Sequence, residues 1–330
     1  MCRKAAGVAL AWLVMGCAPA YAQQRPTAPL LTQVVAGRVE LAIASGRIVS
    51  PGGRQLGNGG WTSSSGSTHE ELSSSGNGES TSLRYQRTSP QEDFSLSLDS
   101  AGHFRFRRHV KESSAGPVEL VQTPGDPLVL SVGPQDHQQV YRGATLWHLA
   151  ATQPDLCQTH VYPVLELLRP QWQLAQLAAR VETQLLRLTA DDRQQERQRW
   201  DILVAQLADE RFGRRDAADR GLRAGGGAAL AYLKQLDLRR LEPEQQFRIR
   251  RILHSAGPPR NDDTPEQAAG LLAGDPAVWL ALAARPDPSI RQTAVQRLTA
   301  LLGETIHIDP AADPATQKPA RDALRARLEK

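Results

Sequence analysis

The chain has 330 residues, a length sufficient for two units that each bury an apolar core. Lys and Arg number 39 against 35 Asp and Glu, and no long block of one sign occurs, so the charge pattern argues against a nucleic-acid-binding protein. Of the three cysteines, Cys2 and Cys17 lie near the N-terminus, which leaves Cys157 without an internal disulfide partner. A lone cysteine also excludes a Cys-x-x-Cys-His haem site and a multi-cysteine zinc site.

Residues 1–22 have the features of a secretory signal peptide. Arg3 and Lys4 precede an apolar run that is shorter than the roughly 20 residues a membrane-spanning helix needs. Ala20-Tyr-Ala22 then has the small-x-small pattern of a cleavage site, and residues 23–35 follow as a linker. The pattern therefore predicts export, to the periplasm or to the cell surface.

The same leader allows a second interpretation. Val14-Met-Gly-Cys17 resembles a bacterial lipobox, in which Cys17 would be acylated and become the new N-terminus. An acylated protein would be held at a membrane by its lipid, whereas a protein cut after Ala22 would be free. Cys17 is therefore a candidate lipidation site, and this anchor is the only membrane association that the sequence indicates.

Residues 36–133 alternate apolar and polar side chains with the period of two that is typical of β-strands. Phe94, Leu96 and Leu98 alternate with serines, and after a turn Phe104 and Phe106 alternate with basic residues. About six short strands separated by Gly and Pro predict a small antiparallel β domain, either a barrel or a sandwich.

Within this half, residues 57–80 are dominated by serine and glycine. Such side chains bury little apolar surface, so the stretch is predicted to be a disordered loop between strands. Its only aromatic residue, Trp61, would either anchor the root of the loop or present a stacking surface to a ligand. The second use would favour an envelope polysaccharide-binding β-module with the helices as a spacer.

Residues 136–330 have the apolar period of helices. Thr264-Pro-Glu-Gln267 has the pattern of a capping box. Asp275, Asp287 and Asp313 each precede a proline, as N-cap residues often do. The predicted fold class is therefore α+β, with a small antiparallel β domain followed by an α-helical domain.

The stretch RFGRRDAADRGLRAG, residues 211–225, has a counterpart further along the chain. Both copies follow the pattern Arg-x-x-Ala-x-x-x-Leu, with Arg215, Ala218 and Leu222 in the first and Arg291, Ala294 and Leu298 in the second. A degenerate copy around Phe247 lies between them. Over about residues 202–304 this pattern resembles a HEAT-type helical repeat. The resemblance implies stacked helix pairs that bind other proteins along a concave surface, and it implies no catalytic residue.

Four arginines are candidate partner-binding residues. Arg105 and Arg107 share the solvated face of one predicted strand, where they would dock an anionic polymer or a lipid headgroup, or would only discourage edge pairing. Arg215 and Arg291 lie one turn before the alanine of each repeat copy. They would pair with a carboxylate of a neighbouring turn or repeat, or would only be solvated.

No catalytic, cofactor-binding or metal-binding residue is predicted. Cys157 and His160 would share a helix face, but the apolar residues around Cys157 indicate a buried thiol. His69, Glu70 and Glu71 do not match the spacing of a metal motif. The leading hypothesis is an exported, non-catalytic scaffold that binds a protein partner of the cell envelope. The alternatives are the polysaccharide-binding module and an enzyme with an unrecognised site, which would place residues with shifted pKa values in a pocket between the halves.

Overall fold

The computed structural model describes residues 28, 30–33, 41–50, 58–76, 81–188, 190–225, 229–230, 232–233, 236–255 and 261–328. The predicted α+β class is confirmed, because an antiparallel sheet region precedes a helical region. No helix within these ranges is both long enough and apolar enough to cross a membrane.

In the part of the chain that the structure describes, ten strands form two antiparallel sheets. β1 (Ala42–Ala44) and β2 (Arg47–Val49) make a hairpin. The other eight strands form one sheet in which each strand pairs with the next along the chain. They are β3 (Gly59–Ser65), β4 (Thr68–Gly76), β5 (Thr81–Thr88), β6 (Glu92–Asp99), β7 (Phe104–Val110), β8 (Val118–Gln122), β9 (Leu128–Val132) and β10 (Gln139–Gly143).

The large sheet has one buried face and one solvated face, as the period-two pattern predicts. The predicted hairpin of β6 and β7 is confirmed, with Leu98 opposite Phe104. One row of inward-facing residues crosses all eight strands in register, and its members are Trp61, Leu72, Tyr85, Leu96, Phe106, Leu120, Leu130 and Tyr141. This row fixes which face of every strand meets the core.

Two details of the predicted β half are wrong. Residues 59–65 and 68–76, predicted as part of the disordered loop 57–80, form β3 and β4 instead. The serines of β4 tolerate this because Leu72 fills the inward row while Ser73 and Ser75 stay in solvent. The strands also form neither a barrel nor a sandwich, because they make one open meander whose buried face packs against helices and which continues past residue 133 to Gly143.

Apart from residues 30–33, which are helical, the helices named below follow β10. They are α1 (Leu146–Thr152), α2 (Pro154–Leu156), a π-helical turn (Cys157–Val161), α3 (Tyr162–Leu168), α4 (Leu174–Arg187), α5 (Ala190–Gln206), α6 (Phe212–Ala224), α7 (Pro243–Ser255), α8 (Pro265–Leu272), α9 (Pro276–Leu282), α10 (Pro288–Leu302) and α11 (Lys318–Leu328). Short 3-10 turns cover Gln135–His137, Pro170–Trp172 and Leu238–Arg240.

The predicted helix starts are mostly confirmed. Thr264 closes a full capping box at the start of α8, and Asp275 and Asp287 cap α9 and α10 through their side chains. The prediction for Asp313 is wrong, because its side chain accepts from the backbone N–H of Ala315 in a non-helical turn before α11. The side chain therefore satisfies a backbone donor there without starting a helix.

The buried apolar side chains form two separate clusters. The larger one joins the inward face of the sheet to helices α1, α3, α4 and α8–α11. The smaller one lies within residues 190–255, which contain α5, α6 and α7 and are called the helical lobe below. Because α4 packs directly on α8, the helical lobe is an insertion between two helices of the larger core. The predicted boundary at residues 133–136 therefore does not separate the two cores.

Candidate functional site

Arg105 and Arg107 lie on the exposed face of β7, which agrees with the predicted solvated face. The Nε of Arg105 donates to Oε1 of Glu119 on β8 at 2.6 Å. Arg107 lies directly opposite Glu119 in the register of the two strands. One carboxylate therefore offsets part of the positive charge that these two arginines would offer to an anionic partner.

The other basic residues of this strand do not share that surface. The side chain of Arg108 points inward, is buried, and donates from Nε to Glu92 at 2.9 Å. Lys111 pairs with Asp93 at 3.1 Å and donates to the carbonyl of Ser89. The strand therefore presents a short exposed pair of arginines rather than a continuous basic patch.

The buried face of the sheet holds an ion network that the sequence analysis did not identify. Arg87 pairs with Glu92 at 2.5 Å and with Glu70 at 3.4 Å, and Arg108 pairs with the second oxygen of Glu92. Glu70 also accepts from the hydroxyl of Tyr85 at 3.1 Å. Two carboxylates balance two guanidinium groups, so the network is neutral and its part is to hold strands together.

The predicted burial of Cys157 is confirmed. Burial raises the pKa of its thiol to about 12, so the thiolate needed for nucleophilic chemistry is not formed near neutral pH. Burial and then the positive charge of Arg108 lower the pKa of His160. Near neutral pH the thiol therefore stays protonated and the imidazole stays uncharged.

The residues around His69 do not converge on one point. Glu70 points into the core, whereas His69 and Glu71 lie on the solvated face of β4. Among the described residues, no three His, Cys, Asp or Glu side chains are placed to hold a metal ion. Trp61 packs against the core from edge strand β3, which agrees with an anchoring part rather than a stacking platform.

Arg215 and Arg291 bind backbone carbonyls, which neither sequence-based alternative anticipated. Arg215 also lies 3.7 Å from the carboxylate of Glu244 on α7, as the first alternative predicted. Arg215 donates to the carbonyls of Asp209 and Glu210, six and five residues earlier. Arg291 donates to the carbonyls of Arg285 and Pro286, again six and five residues earlier. Each arginine therefore fastens the start of its helix to the preceding loop.

Two adjacent aspartates, which the sequence analysis did not identify, tie distant parts of the larger core together. Asp262 accepts from the backbone N–H of Ile43 and from the indole of Trp172, both at 2.9 Å. Asp263 accepts from the indole of Trp147 at 2.8 Å and from two backbone amides of the β1–β2 turn. Burial raises the pKa of Asp263, although these hydrogen bonds oppose the shift. This clamp is structural, because every carboxylate oxygen faces a protein donor or cation.

The helical lobe is held from within by a buried carboxylate. Asp219 of α6 is 3% exposed and accepts from Arg223 of the same helix and from Arg251 of α7, the latter at 2.6 Å. Arg248 of α7 lies 3.9 Å from the same carboxylate. These contacts set the position of α7 against α6.

Two large aromatic side chains are exposed on the surface of this lobe. Phe212 at the start of α6 is 65% exposed, and Phe247 of α7 is 60% exposed. The guanidinium carbons of Arg215 and Arg248 lie 5.8 and 6.0 Å from the centre of the Phe212 ring, close enough for cation–π attraction. Arg251 follows Phe247 by one helical turn. We call Phe212, Phe247 and Arg251, with the partly exposed Arg215, the Phe–Arg face, and the buried Arg248 lies beneath it.

The Phe–Arg face is the candidate partner-binding site. Comparison of the chain with family models, with curated proteins and with solved structures found no match. Cys17, the predicted lipidation site, lies outside the described residues. The sequence signal for this site was the pair of phenylalanines on helices otherwise rich in charge, which the repeat pattern assigned to apolar packing positions.

Proposed function

We propose that the protein is an exported, non-catalytic scaffold that binds a protein partner through the Phe–Arg face of its helical lobe. The observation that carries this proposal is the exposure of Phe212 and Phe247 on helices that Asp219 holds in place from behind. Interface hot spots are enriched in aromatic residues and arginine, and rigid presentation reduces the entropy lost on binding.

The charge of the lobe specifies the chemistry of the partner. Together α6 and α7 carry seven arginines against three acidic residues. Five of the seven, Arg214, Arg220, Arg223, Arg250 and Arg251, are exposed. A complementary protein would therefore present acidic side chains around an apolar patch that accepts the two phenylalanines.

The HEAT-like organisation remains part of the proposal. In both repeat copies the arginine binds the carbonyls five and six residues earlier, and the alanine and the leucine are buried. These shared local contacts support a common helix-pair unit. The copies bury their apolar residues in different clusters, so the proposed partner surface is confined to the helical lobe.

Site-specific photocrosslinking in intact cells tests the proposal. A photoreactive phenylalanine analogue in place of Phe247 is expected to crosslink one protein species, because this side chain would lie inside the interface. The matched control places the analogue at Ser97, on the solvated face of the sheet, where no crosslink to that species is expected. Mass spectrometry of the same preparation reads the mature N-terminus, which is Gln23 after signal-peptide cleavage or an acylated Cys17.

Charge reversal gives the second arm of this experiment. Arg250→Glu is expected to weaken the crosslink at position 247, because an exposed cation would face an acidic partner. Arg142→Glu, an exposed arginine on β10, is the control and should leave it unchanged. Phe212→Ser, which removes the other exposed phenylalanine, is expected to weaken the crosslink as well. Crosslinking that survives both Phe212→Ser and Arg250→Glu, or that occurs equally at Ser97, would show that the partner does not use this face.

A further inference from the structure

A cleft with a volume of about 410 Å³ opens among the helices of the larger core, away from the helical lobe. Its walls come from α1, α2, the π-helical turn, α3, α4 and the ends of α8 and α9. Apolar wall residues include Ala150, Ala178, Leu185, Leu272 and Leu282. Small-molecule sites are of this size and are mostly apolar, with a few polar groups that orient the ligand.

One of those polar groups is a tyrosine without a partner. Tyr162 is 5% exposed and lines the cleft, yet its hydroxyl makes no hydrogen bond to any described residue. Buried tyrosine hydroxyls usually have a partner. The oxygen of Tyr162 is not one of the fully enclosed unpaired atoms of the described residues, so it opens to the cleft and is free to bind a ligand there. Burial raises the pKa of Tyr162, so the hydroxyl stays neutral and offers both a proton and an acceptor oxygen.

The helix beside this tyrosine has an unusual backbone. Residues Cys157–Val161 form a π-helical turn that ends immediately before Tyr162. Single π-helical turns are rare and occur often at functional sites. The turn also brings Gln158 to the cleft lining, so a second uncharged polar side chain lies near the free hydroxyl.

The charges of the lining favour a cation. Arg285 donates to Glu182 at 2.6 Å, so these two residues neutralise each other. Asp155 also lines the cleft, is exposed, and forms no ion pair with any described residue. The charged lining residues thus sum to one net negative charge, next to the aromatic rings of Trp147 and Tyr162.

We propose that this cleft binds a small amphiphilic cation, with an apolar body and one ammonium group. The apolar body would cover the alanine and leucine walls. The ammonium group would donate to the carboxylate of Asp155 and to the oxygen of Tyr162, and it would lie beside aromatic rings that attract cations. An anionic ligand would instead meet the unpaired carboxylate of Asp155.

Three probes that share a phenethyl body and differ in charge test this site on the full-length protein. They are 2-phenylethylamine, 2-phenylethanol and 3-phenylpropionate, each titrated while backbone amide signals are followed by NMR. The amine is expected to shift signals of residues around the cleft and to bind more tightly than the alcohol, while the carboxylate shows the weakest binding. Equal binding of all three, tighter binding of the carboxylate, or an absence of shifts at the cleft overturns the proposal.

Variants locate the contacts. Asp155→Asn is expected to weaken amine binding about threefold, the range for one exposed ion pair. Tyr162→Phe should weaken it about fivefold, as for one lost hydrogen bond. Ala178→Phe should abolish binding by filling the cleft. The control Asp136→Asn, an exposed aspartate outside the lining, should have no effect. Amine binding that is unchanged in Asp155→Asn and in Ala178→Phe would place the probe elsewhere and overturn the assignment.

Discussion

At the scale of single residues, Asp219 shows how a buried charge organises the helical lobe. Its carboxylate accepts from Arg223 and Arg251, which belong to different helices. Burial alone would raise the pKa of this carboxyl, but the hydrogen bonds and charges of the two arginines lower it below the usual value. The ionised form is therefore the one that the folded lobe stabilises.

We expect Asp219→Asn to lower the free energy of unfolding of the lobe by about 2 to 3 kcal/mol, because it leaves arginines unpaired beside a buried site. The contribution of Asp219 is full above the unfolded pKa of 3.8, and it is lost as the pH falls through the lower folded value. Urea titrations should therefore show a gap between wild type and variant at neutral pH that narrows in acid. The control Asp216→Asn, in an exposed pair with Arg220, should cost under about 1 kcal/mol.

Charged residues in the sheet show how much can be predicted from the sequence at the scale of single residues. Glu70 is in phase with Leu72, and Arg108 is in phase with Phe106, so a period-two reading places both on the buried face. Their pairing with Arg87 and Glu92 depends on the register between strands, which one sequence does not provide. The contacts of Asp262 are even harder to predict from the sequence, because its partner Ile43 lies 219 positions away.

At the scale of elements, Arg215 and Arg291 both bind the loop that precedes their helix, but the two sites differ in burial. Arg291 is 4% exposed and donates to a third carbonyl, that of Pro310, at 2.7 Å. Arg215 is partly exposed, donates to the carbonyls of its own preceding loop, and lies 3.7 Å from the carboxylate of Glu244 on α7. The repeat pattern predicted that the two arginines are equivalent. Their contributions to stability differ, because each depends on which residues pack over the start of its helix.

Arg291→Ala is expected to cost about 2 to 4 kcal/mol of unfolding free energy, because several buried carbonyls lose a charged donor. Arg215→Ala should cost about 1 kcal/mol or less, since water reaches the carbonyls it leaves. Arg291→Lys should rescue little, because an ammonium cannot reproduce the planar fork. Thermal melts of the three purified variants measure this ranking, and equal losses for the two alanine variants would contradict it.

Strands β3 and β4 show why composition misled the prediction at this scale. Serine content indicated a loop, but only one face of a strand in this sheet needs apolar residues. Leu72 satisfies that need in β4, and the strand supplies its other stabilisation through backbone pairing on both sides. The helix starts were predictable because a cap acts within a few residues, whereas strand pairing joins distant ones.

At the scale of the whole molecule, the chain has two cores that do not coincide with its β and α halves. Strands and most helices share one core, and the helical lobe has its own. Periodicity identifies strands and helices separately, so it placed the boundary where the period changes. The division between the two cores follows instead from the packing of α4 on α8, the helices that flank the lobe in the sequence. These helices lie nearly eighty residues apart, and a single sequence does not show their contact.

Two cores should open independently, and hydrogen exchange can test this. Leu222 is fully buried in the lobe, so Leu222→Ala should cost about 2 to 5 kcal/mol there. Amides of α6 and α7 should then exchange faster, while those of β5 to β8 keep their protection. The matched change Leu120→Ala in the inward row of the sheet should do the reverse, because Leu120 belongs to the larger core. If either variant accelerated exchange in both regions alike, the lobe and the sheet would be one cooperative unit, and the Phe–Arg face would depend on the whole fold.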